Sequence, residues 1–162
     1  MITQEELEGM FSYDADTGYL TNRLTRRGVT KGSRAGTLHP SGYRQIKIDY
    51  KAYQEHRLIW LFTHGEFPPD CIDHINGISD DNRICNLREA TISQNCMNRS
   101  LSEKSTTGFK GVYYHKRMRK FQSSINTRGI RQHLGTFDTP EEAHKAYCEA
   151  SLEYHKEFSR TN

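Results

Sequence analysis

The sequence predicts an α+β protein built from two small domains, and three observations carry that prediction. The chain has 162 residues, enough for one full domain or two small ones. Short runs with strand periodicity alternate irregularly with capped helical segments, without the regular strand–helix repeat of a parallel sheet. Finally, "RSLSEKSTTG" at 99–108 is rich in Ser and Thr, lacks a periodic apolar face, and reads as a linker. The division is therefore 1–98, a linker at 99–108, and 109–162.

In residues 1–50, "GYLTNRL" and "GYRQIKID" have strand character, separated by the loop "TRRGVTKGSRAGTLHPS". Ile46 and Ile48 alternate with Gln45, Lys47 and Asp49, the period of a half-buried strand. "YKAYQ" is a return strand. "HRLIWLFTHGEFPP" predicts a short helix stopped at Gly65 and followed by Pro68 and Pro69. "CIDHI" and "NLREA" read as strands on either side of a polar loop. Thr91 and Gln94 then form a T-x-x-Q capping box that starts a helix, on which Ile92 and Cys96 share a core-facing side.

After the linker, "GVYYH", "KFQSSIN" and "RQHLGTF" predict three strands, with a hairpin turn at 127–129. "TPEEAHKAYCEASLEYHKEF" opens a helix with Thr139 as N-cap, Pro140 at the first position and Glu142 completing the box. Ala143, Ala146, Tyr147, Ala150 and Tyr154 give it one apolar face. The expected unit is a small three-stranded antiparallel sheet packed on one helix.

Composition narrows the functional classes. A hydrophobic fraction of 34% and a mean hydropathy of -0.87 predict small cores. The longest apolar cluster, "LIWLF", is too short to span a bilayer, so no membrane partner is expected. Cys71, Cys85, Cys96 and Cys148 form no C-x-x-C pair, which suits free buried thiols and a reducing intracellular setting. Cys71, Cys85 and Cys96 bracket the polar loop, so a structural zinc site is the alternative. The net charge of +3 is indecisive, but its distribution is not. From Lys104 to Phe137 there are eight Lys and Arg residues and no Asp or Glu, which suits a polyanionic partner.

The chemistry concentrates in "DHINGISDDNRICNLR", residues 73–88. A solvated turn would explain its Asn, Asp and Gly. Adjacent Asp73 and His74 on a strand point to opposite sides, so one can bind a metal while the other faces a water. A neutral imidazole is a natural general base. The Asp73 carboxylate and the amide oxygen of Asn95 are hard ligands, suited to Mg²⁺ or Mn²⁺.

"DHINGISDDNRICNLREATISQNCMNR", with "HRLIWLFTHG" upstream, resembles the motif of HNH endonucleases in the form carried by phage and intron homing enzymes. The resemblance implies a ββα-metal fold and hydrolysis of DNA phosphodiesters. It casts His74 as the base that activates water, Asp73 and Asn95 as ligands of one divalent metal per active site, and Asn86 as the brace that orients the base. Asn95 replaces the histidine of many relatives, which favours Mg²⁺. Asn82, Arg83 and Arg88 are read as phosphate contacts or loop-stabilising residues, His56 and Arg57 as structural support. The basic loop of Arg23, Arg26, Arg27, Lys31 and Arg34 is read as either a DNA grip or a solvated loop.

In the second domain, Phe121, Ser123 and Ile125 alternate with Gln122, Ser124 and Asn126. One face of the sheet is thus free to present polar and cationic groups to a groove. "GFKGVYYHKR", "KFQSSI" and "HLGTFDTPEEAHKAY" resemble the Apetala-type DNA-binding domain. The DNA-facing candidates are Tyr113, His115, Lys116, Arg117, Arg119, Lys120, Gln122, Ser124, Arg131 and His133. The expected partner is double-stranded DNA, with a homodimer as one route to double-strand cleavage. The rival readings are a DNA-binding regulator with a vestigial nuclease fold and a nuclease directed at RNA.

Overall fold

The computed structural model describes residues 2–101, 105–127 and 129–161. These form two compact units, 1–90 and 91–162. Part of the linker and Arg128, in the hairpin turn assigned to 127–129, lie outside the described residues. None of the described helices is long and apolar enough to cross a membrane.

The first unit begins with a helix that sequence reading missed, α1 (Gln4–Met10). Its signal is present: the Thr3 hydroxyl accepts from the Glu6 N–H and the Glu6 carboxylate accepts from the Thr3 N–H, a reciprocal capping box. β1 (Phe11–Asp14) and β2 (Tyr19–Asn22) pair antiparallel. The nominal loop that follows contributes β3 (Thr37–Leu38), which pairs with β4 (Arg44–Ile48); β4 in turn pairs with β5 (Lys51–Gln54). Asp49 and Tyr50, the two residues joining β4 to β5, both have positive φ, as the tightest hairpin turns require.

α2 (Glu55–His64) ends at Gly65, whose φ of 82° lets the chain leave in the left-handed region. Its buried side carries Leu58, Ile59 and Leu61 into a core with Leu7, Phe11, Leu20, Ile46, Ile72 and Leu87. That core supports β6 (Cys71–His74), which pairs antiparallel with β7 (Leu87–Ala90). The polar loop spans the gap between them and includes one 3₁₀ turn at Ile84–Asn86.

The second unit starts with α3 (Ile92–Met97), capped by the Thr91–Gln94 box. The expectation that Ile92 and Cys96 face the core is corrected: both are exposed, and this six-residue helix buries no residue. So short a helix has too little surface to seal an apolar side. The two residues instead line a cleft of about 400 Å³ with Lys110, Tyr147 and His155.

β8 (Val112–His115), β9 (Lys120–Thr127) and β10 (Ile130–Phe137) form an antiparallel sheet with β9 central. α4 (Pro140–His155) covers one face, its start fixed by the Thr139–Glu142 box. Ser123 and Ile125 point toward it and are fully buried, against Ala143, Tyr147 and Ala150. One helix position is corrected: Tyr154 is 43% exposed, while Ser151 and His155 are buried. The polar pair is satisfied locally, since Ser151 Oγ lies 3.2 Å from His155 Nδ1 and His155 Nε2 lies 3.0 Å from the Asn126 carbonyl.

The cysteines also depart from expectation. None of the four is in a disulfide; Cys85 and Cys96 are exposed, and Cys71 and Cys148 half-buried. Among the described residues no group of three or more His, Cys, Asp or Glu side chains is placed to hold a metal ion.

Candidate active site and nucleic-acid interface

β6 carries Asp73 and His74 into the first unit, where both are nearly inaccessible, at 2% and 5% exposure. The Asp73 carboxylate meets Arg88, its direct cross-strand neighbour on β7. Arg88 Nε and a terminal nitrogen lie 2.8 and 2.7 Å from Asp73 Oδ2. This pairing gives Arg88 a definite place: it compensates the buried carboxylate from within the sheet.

His74 Nε2 lies 2.9 Å from Asn82 Oδ1, and its ring stands edge-on to His56 with centroids 5.1 Å apart. Tyr43 sits against both imidazoles. Burial pushes the His74 pKa below its ordinary value, while the Asn82 hydrogen bond and the carboxylates of Asp73, Asp81 and Asp80 pull it back. The net direction is down, which keeps this ring neutral at physiological pH. A neutral ring can accept a proton.

His56 is shifted further, to about 3, by burial first and then by His74 and Arg57. This shift fixes a pH dependence of stability. Above the unfolded value of about 6.5 both states are neutral and nothing changes. Below it the unfolded chain takes up a proton that the folded site refuses, so stability falls from about pH 6.5 toward pH 3. At pH 5 the cost from His56 is ~2 kcal/mol. The denaturation midpoint is expected to drop between pH 7.5 and 5, and His56→Phe is expected to flatten that drop. An unchanged pH slope in the variant would assign the acid sensitivity elsewhere.

Asn86 holds the polar loop in shape. Its Nδ2 donates to the Asp81 carbonyl and to Asn76 Oδ1, at 2.8 and 3.0 Å, while its Oδ1 accepts from the Asn76 N–H at 3.0 Å. Arg83 adds a two-point contact to Asp81 and lowers that carboxylate to about 2. Tyr13 on β1 clamps the loop from behind: its hydroxyl donates to the Asn82 carbonyl and accepts from the Ile84 N–H.

The β1–β2 turn presses on the same loop. Gly18 has a φ of 73°, and a Cβ there would lie 2.3 Å from the Arg83 nitrogen and 2.6 Å from the Asn82 carbonyl carbon. Gly18→Ala therefore combines backbone strain with a collision against main chain that has no side chain to yield. A loss on the order of 2–3 kcal/mol in chemical denaturation is expected, with cleavage impaired because the loop shifts. Wild-type stability in this variant would show that the turn relaxes freely.

A buried ionic network that sequence reading missed lies behind Asn82. Glu55, the first residue of α2, is fully buried. It accepts from the Leu20 N–H at 3.1 Å, from Asn82 Nδ2 at 2.8 Å and from Arg34 at 2.8 Å. Arg34 also reaches both oxygens of Asp80 and stacks over Tyr19, with its guanidinium carbon 3.5 Å from the ring centroid. Both options for Arg34, DNA grip and solvated loop, are thereby corrected. The signal was available only in part: Asp80 and Asn82 stood in the motif, but nothing local marked Glu55 as their partner.

Asn95 lies half-buried on α3, within the second unit. Taken singly, the Asp73 carboxylate, which Arg88 engages at Oδ2, and the Asn95 amide oxygen are each hard donors of the kind Mg²⁺ takes.

In the second unit the sheet register gathers the other candidates onto the face opposite α4. Tyr113 pairs with Gln122, His115 with Lys120, and Ser124 with His133. Arg131 Nε donates to Ser124 Oγ at 2.9 Å, and its guanidinium sits 4.8 Å from the Tyr113 ring centroid. Lys116, Arg117 and Arg119 are exposed on the turn between β8 and β9, where Arg119 has a φ of 53°. Lys120 is engaged by Asp138 at 2.9 Å.

The buried Asp73–His74 pair thus sits on a two-stranded sheet, and a separate three-stranded sheet presents polar and cationic groups on its open face. Residues 53–97 match the model of an HNH endonuclease family, and residues 107–157 match that of the AP2 domain. The chain thus contains one stretch similar to HNH endonucleases and a second similar to the AP2 domain.

Its relatives include Protein 3.8 of Escherichia phage T7, 28% identical over 118 residues, covering 72% of this chain and 97% of that protein. An uncharacterized HNH endonuclease, L560, of Acanthamoeba polyphaga mimivirus is 32% identical over 127 residues. That match covers 77% of this chain and 65% of the mimivirus protein, so the chain spans less than two thirds of its length. Among solved structures, the HNH homing endonuclease I-HmuI is similar with a TM-score of 0.42 and 21% identity, covering 88% of this chain and 77% of that one.

Proposed function

We propose that this chain hydrolyses phosphodiester bonds of double-stranded DNA with one divalent metal, Mg²⁺ or Mn²⁺, as a free-standing homing-type endonuclease of a phage or mobile element. The observation that carries the reading is His74, a buried and neutral imidazole anchored through Nε2 beside the Asp73 carboxylate. The work is divided between a nuclease domain, 1–98, and a recognition domain, 109–162, joined by 99–108. It takes place in the cytoplasm of the infected host.

His74 takes a proton from water through Nδ1 as the water oxygen bonds to phosphorus. The bond to the leaving ester oxygen breaks, and that oxygen is protonated from solvent. Asn86 keeps the loop in the shape that holds His74 in place. Asp73 and Asn95 are the residues that would hold the metal, which would supply stabilisation of negative charge on the phosphoryl group. Arg88 keeps the Asp73 carboxylate oriented within the sheet. One active site per chain nicks a single strand, so cutting both requires a homodimer or two sequential events.

The test is nicking of supercoiled plasmid with Mg²⁺, with EDTA, and with Mg²⁺ restored. Cleavage is expected in the first and third conditions. DNA binding with no cleavage under any metal would favour the vestigial regulator. Stronger competition by duplex RNA than by duplex DNA would favour the RNA-directed nuclease; duplex DNA is expected to win, because A-form RNA hides its major groove.

Recognition has its own expected result. Each phosphate neutralised by a basic side chain contributes roughly 0.9 to the slope of log K against log salt. Replacing Lys116, Arg117 and Arg119 together with glutamine in the full chain is expected to lower that slope by up to about 2–3. Gln122→Ala and Arg131→Ala are expected to relax preference among sequences with little change in slope. A triple variant with the wild-type slope would remove the β8–β9 turn from the interface.

A further inference from the structure

We propose that Asn82 is a positioning residue that fixes His74 in the tautomer protonated at Nε2, and that Glu55 locks Asn82 in the orientation this requires. The proposal rests on the reading of His74 as general base and adds the device that selects which nitrogen acts.

The side-chain amide of Asn82 has two different ends, a donor and an acceptor. Its position decides which end faces which neighbour. On one side lies Glu55, with a carboxylate oxygen 2.8 Å from Asn82 Nδ2; on the other lies His74, with Nε2 2.9 Å from Asn82 Oδ1. Glu55 accepts N–H groups from Leu20, Arg34 and Asn82; burial raises its pKa, but these three donors and the Arg34 charge all favour the ionised carboxylate, which accepts from each of them. An ionised carboxylate accepts and never donates. Asn82 must therefore turn its NH₂ toward Glu55, which leaves its carbonyl oxygen for His74.

A carbonyl oxygen in turn demands a donor, so the proton of the neutral imidazole resides on Nε2. The lone pair is then on Nδ1, and that nitrogen is the base. Asn82 is 1% exposed and Glu55 fully buried, so water does not substitute for either contact. Arg34 secures the far end by bridging Glu55 and Asp80 at 2.8 and 2.7 Å. Asp80 belongs to the same loop as Asn82. Arg44 bridges the same two carboxylates more loosely, at 3.8 and 3.3 Å, so two guanidiniums hold the start of α2 to the catalytic loop, and the polarity of the network runs from them through Glu55 and Asn82 to His74.

Glu55→Gln makes a sharp test because it preserves shape while reversing this logic. A glutamine at this position can present either end to Asn82, so the amide is released to flip and offer its NH₂ to His74. Nε2 then becomes the acceptor and the proton moves to Nδ1, where it blocks the base. Converting a carboxylate to an amide behind a catalytic histidine is known to act in this way in a serine protease, with a loss of about 10⁴-fold.

The experiment combines three readouts on the full chain: plasmid cleavage in Mg²⁺, DNA affinity, and the ¹⁵N chemical shifts of His74 in Mg²⁺-free buffer, assigned by comparison with His74→Ala. In the wild type the shifts are expected to place the proton on Nε2. Glu55→Gln is expected to cut cleavage on the order of 10²-fold or more, to move the proton to Nδ1, and to leave DNA affinity unchanged. The double variant Glu55→Gln/Asn82→Asp puts an acceptor-only group back against His74 and keeps the number of charges. It is expected to recover both the Nε2 tautomer and much of the cleavage, which a purely structural role for Glu55 would not produce.

A wild-type His74 protonated on Nδ1 would overturn the proposal without recourse to any variant, including the case in which Glu55→Gln fails to fold. Unchanged cleavage and tautomer in a folded Glu55→Gln, with His74→Ala inactive, would overturn it and leave the general-base reading intact. Wild-type cleavage by His74→Ala would instead overturn the general-base reading, and this inference with it.

Discussion

His74→Ala is expected to reduce plasmid cleavage by on the order of 10²- to 10⁴-fold, the usual consequence of removing a general base, with DNA affinity nearly unchanged. The two readouts separate because DNA affinity is assigned mainly to the second unit, whose basic turn and polar sheet face do not involve β6. Stability should fall by about 1–3 kcal/mol in the neutral range, the cost of a buried acceptor left unpaired. Deleting the imidazole opens space beside His56 and Tyr43 and leaves the Asn82 carbonyl without its 2.9 Å partner. It also removes a group that burial makes costly to charge. His74→Gln is a useful companion, since it keeps a donor for Asn82 without supplying a base. It should fold more like the wild type and cleave no better than the alanine variant. Retention of the wild-type rate by both variants would sink the general-base assignment.

The same region shows how far local sequence signals reach. Adjacent Asp73 and His74, the Asn-rich loop and the Thr91–Gln94 box are contiguous features, so their elements are legible one at a time. Antiparallel pairing of β6 with β7 follows once both strands and the intervening loop are recognised, because the register then sets Asp73 opposite Arg88. Glu55 is different. Its contacts to Leu20, Arg34 and Asn82 span 35, 21 and 27 positions in the chain. No local periodicity marks a buried carboxylate whose partners lie that far away.

The errors have similar physical roots. Arg34 sits in a run of basic residues and looks solvated, but tertiary packing on Tyr19 and the two carboxylates withdraws it from that run. Ile92 and Cys96 follow a helical spacing that implies a buried side, yet a helix of six residues is too short for that spacing to determine burial. Tyr154 keeps its spacing from Ala150 on α4, but over the last turns the buried stripe runs through Tyr147, Ser151 and His155 and leaves Tyr154 to one side. His155 takes the buried place because the Asn126 carbonyl and Ser151 satisfy its ring nitrogens.

Asp73→Asn and Asn95→Ala are each expected to raise the Mg²⁺ concentration that half-saturates cleavage, by at least about tenfold for Asp73, equivalent to ~1.4 kcal/mol. Asp73 should be the more severe because it contributes charge as well as an oxygen, and divalent cations in phosphate chemistry draw much of their affinity from carboxylates. Asparagine is the better replacement at 73, since alanine would strip Arg88 of its cross-strand carboxylate in a sheet where that guanidinium is only 17% exposed. Breaking a buried ion pair from one side costs on the order of 3–5 kcal/mol, which would confuse a folding defect with a metal defect. Asparagine also leaves the Arg88 charge uncompensated, but it keeps an oxygen to accept from Arg88 and fills the same space, so it carries less of that cost than alanine. The measurement is a Mg²⁺ titration of nicking for the wild type and both variants, with DNA affinity followed in parallel. Excess Mg²⁺ should recover part of the Asn95→Ala activity, because the Asp73 charge remains, and less of the Asp73→Asn activity. Identical Mg²⁺ curves for all three proteins would show that these two residues are not the ligands, and full nicking in EDTA would remove the metal from the reaction altogether.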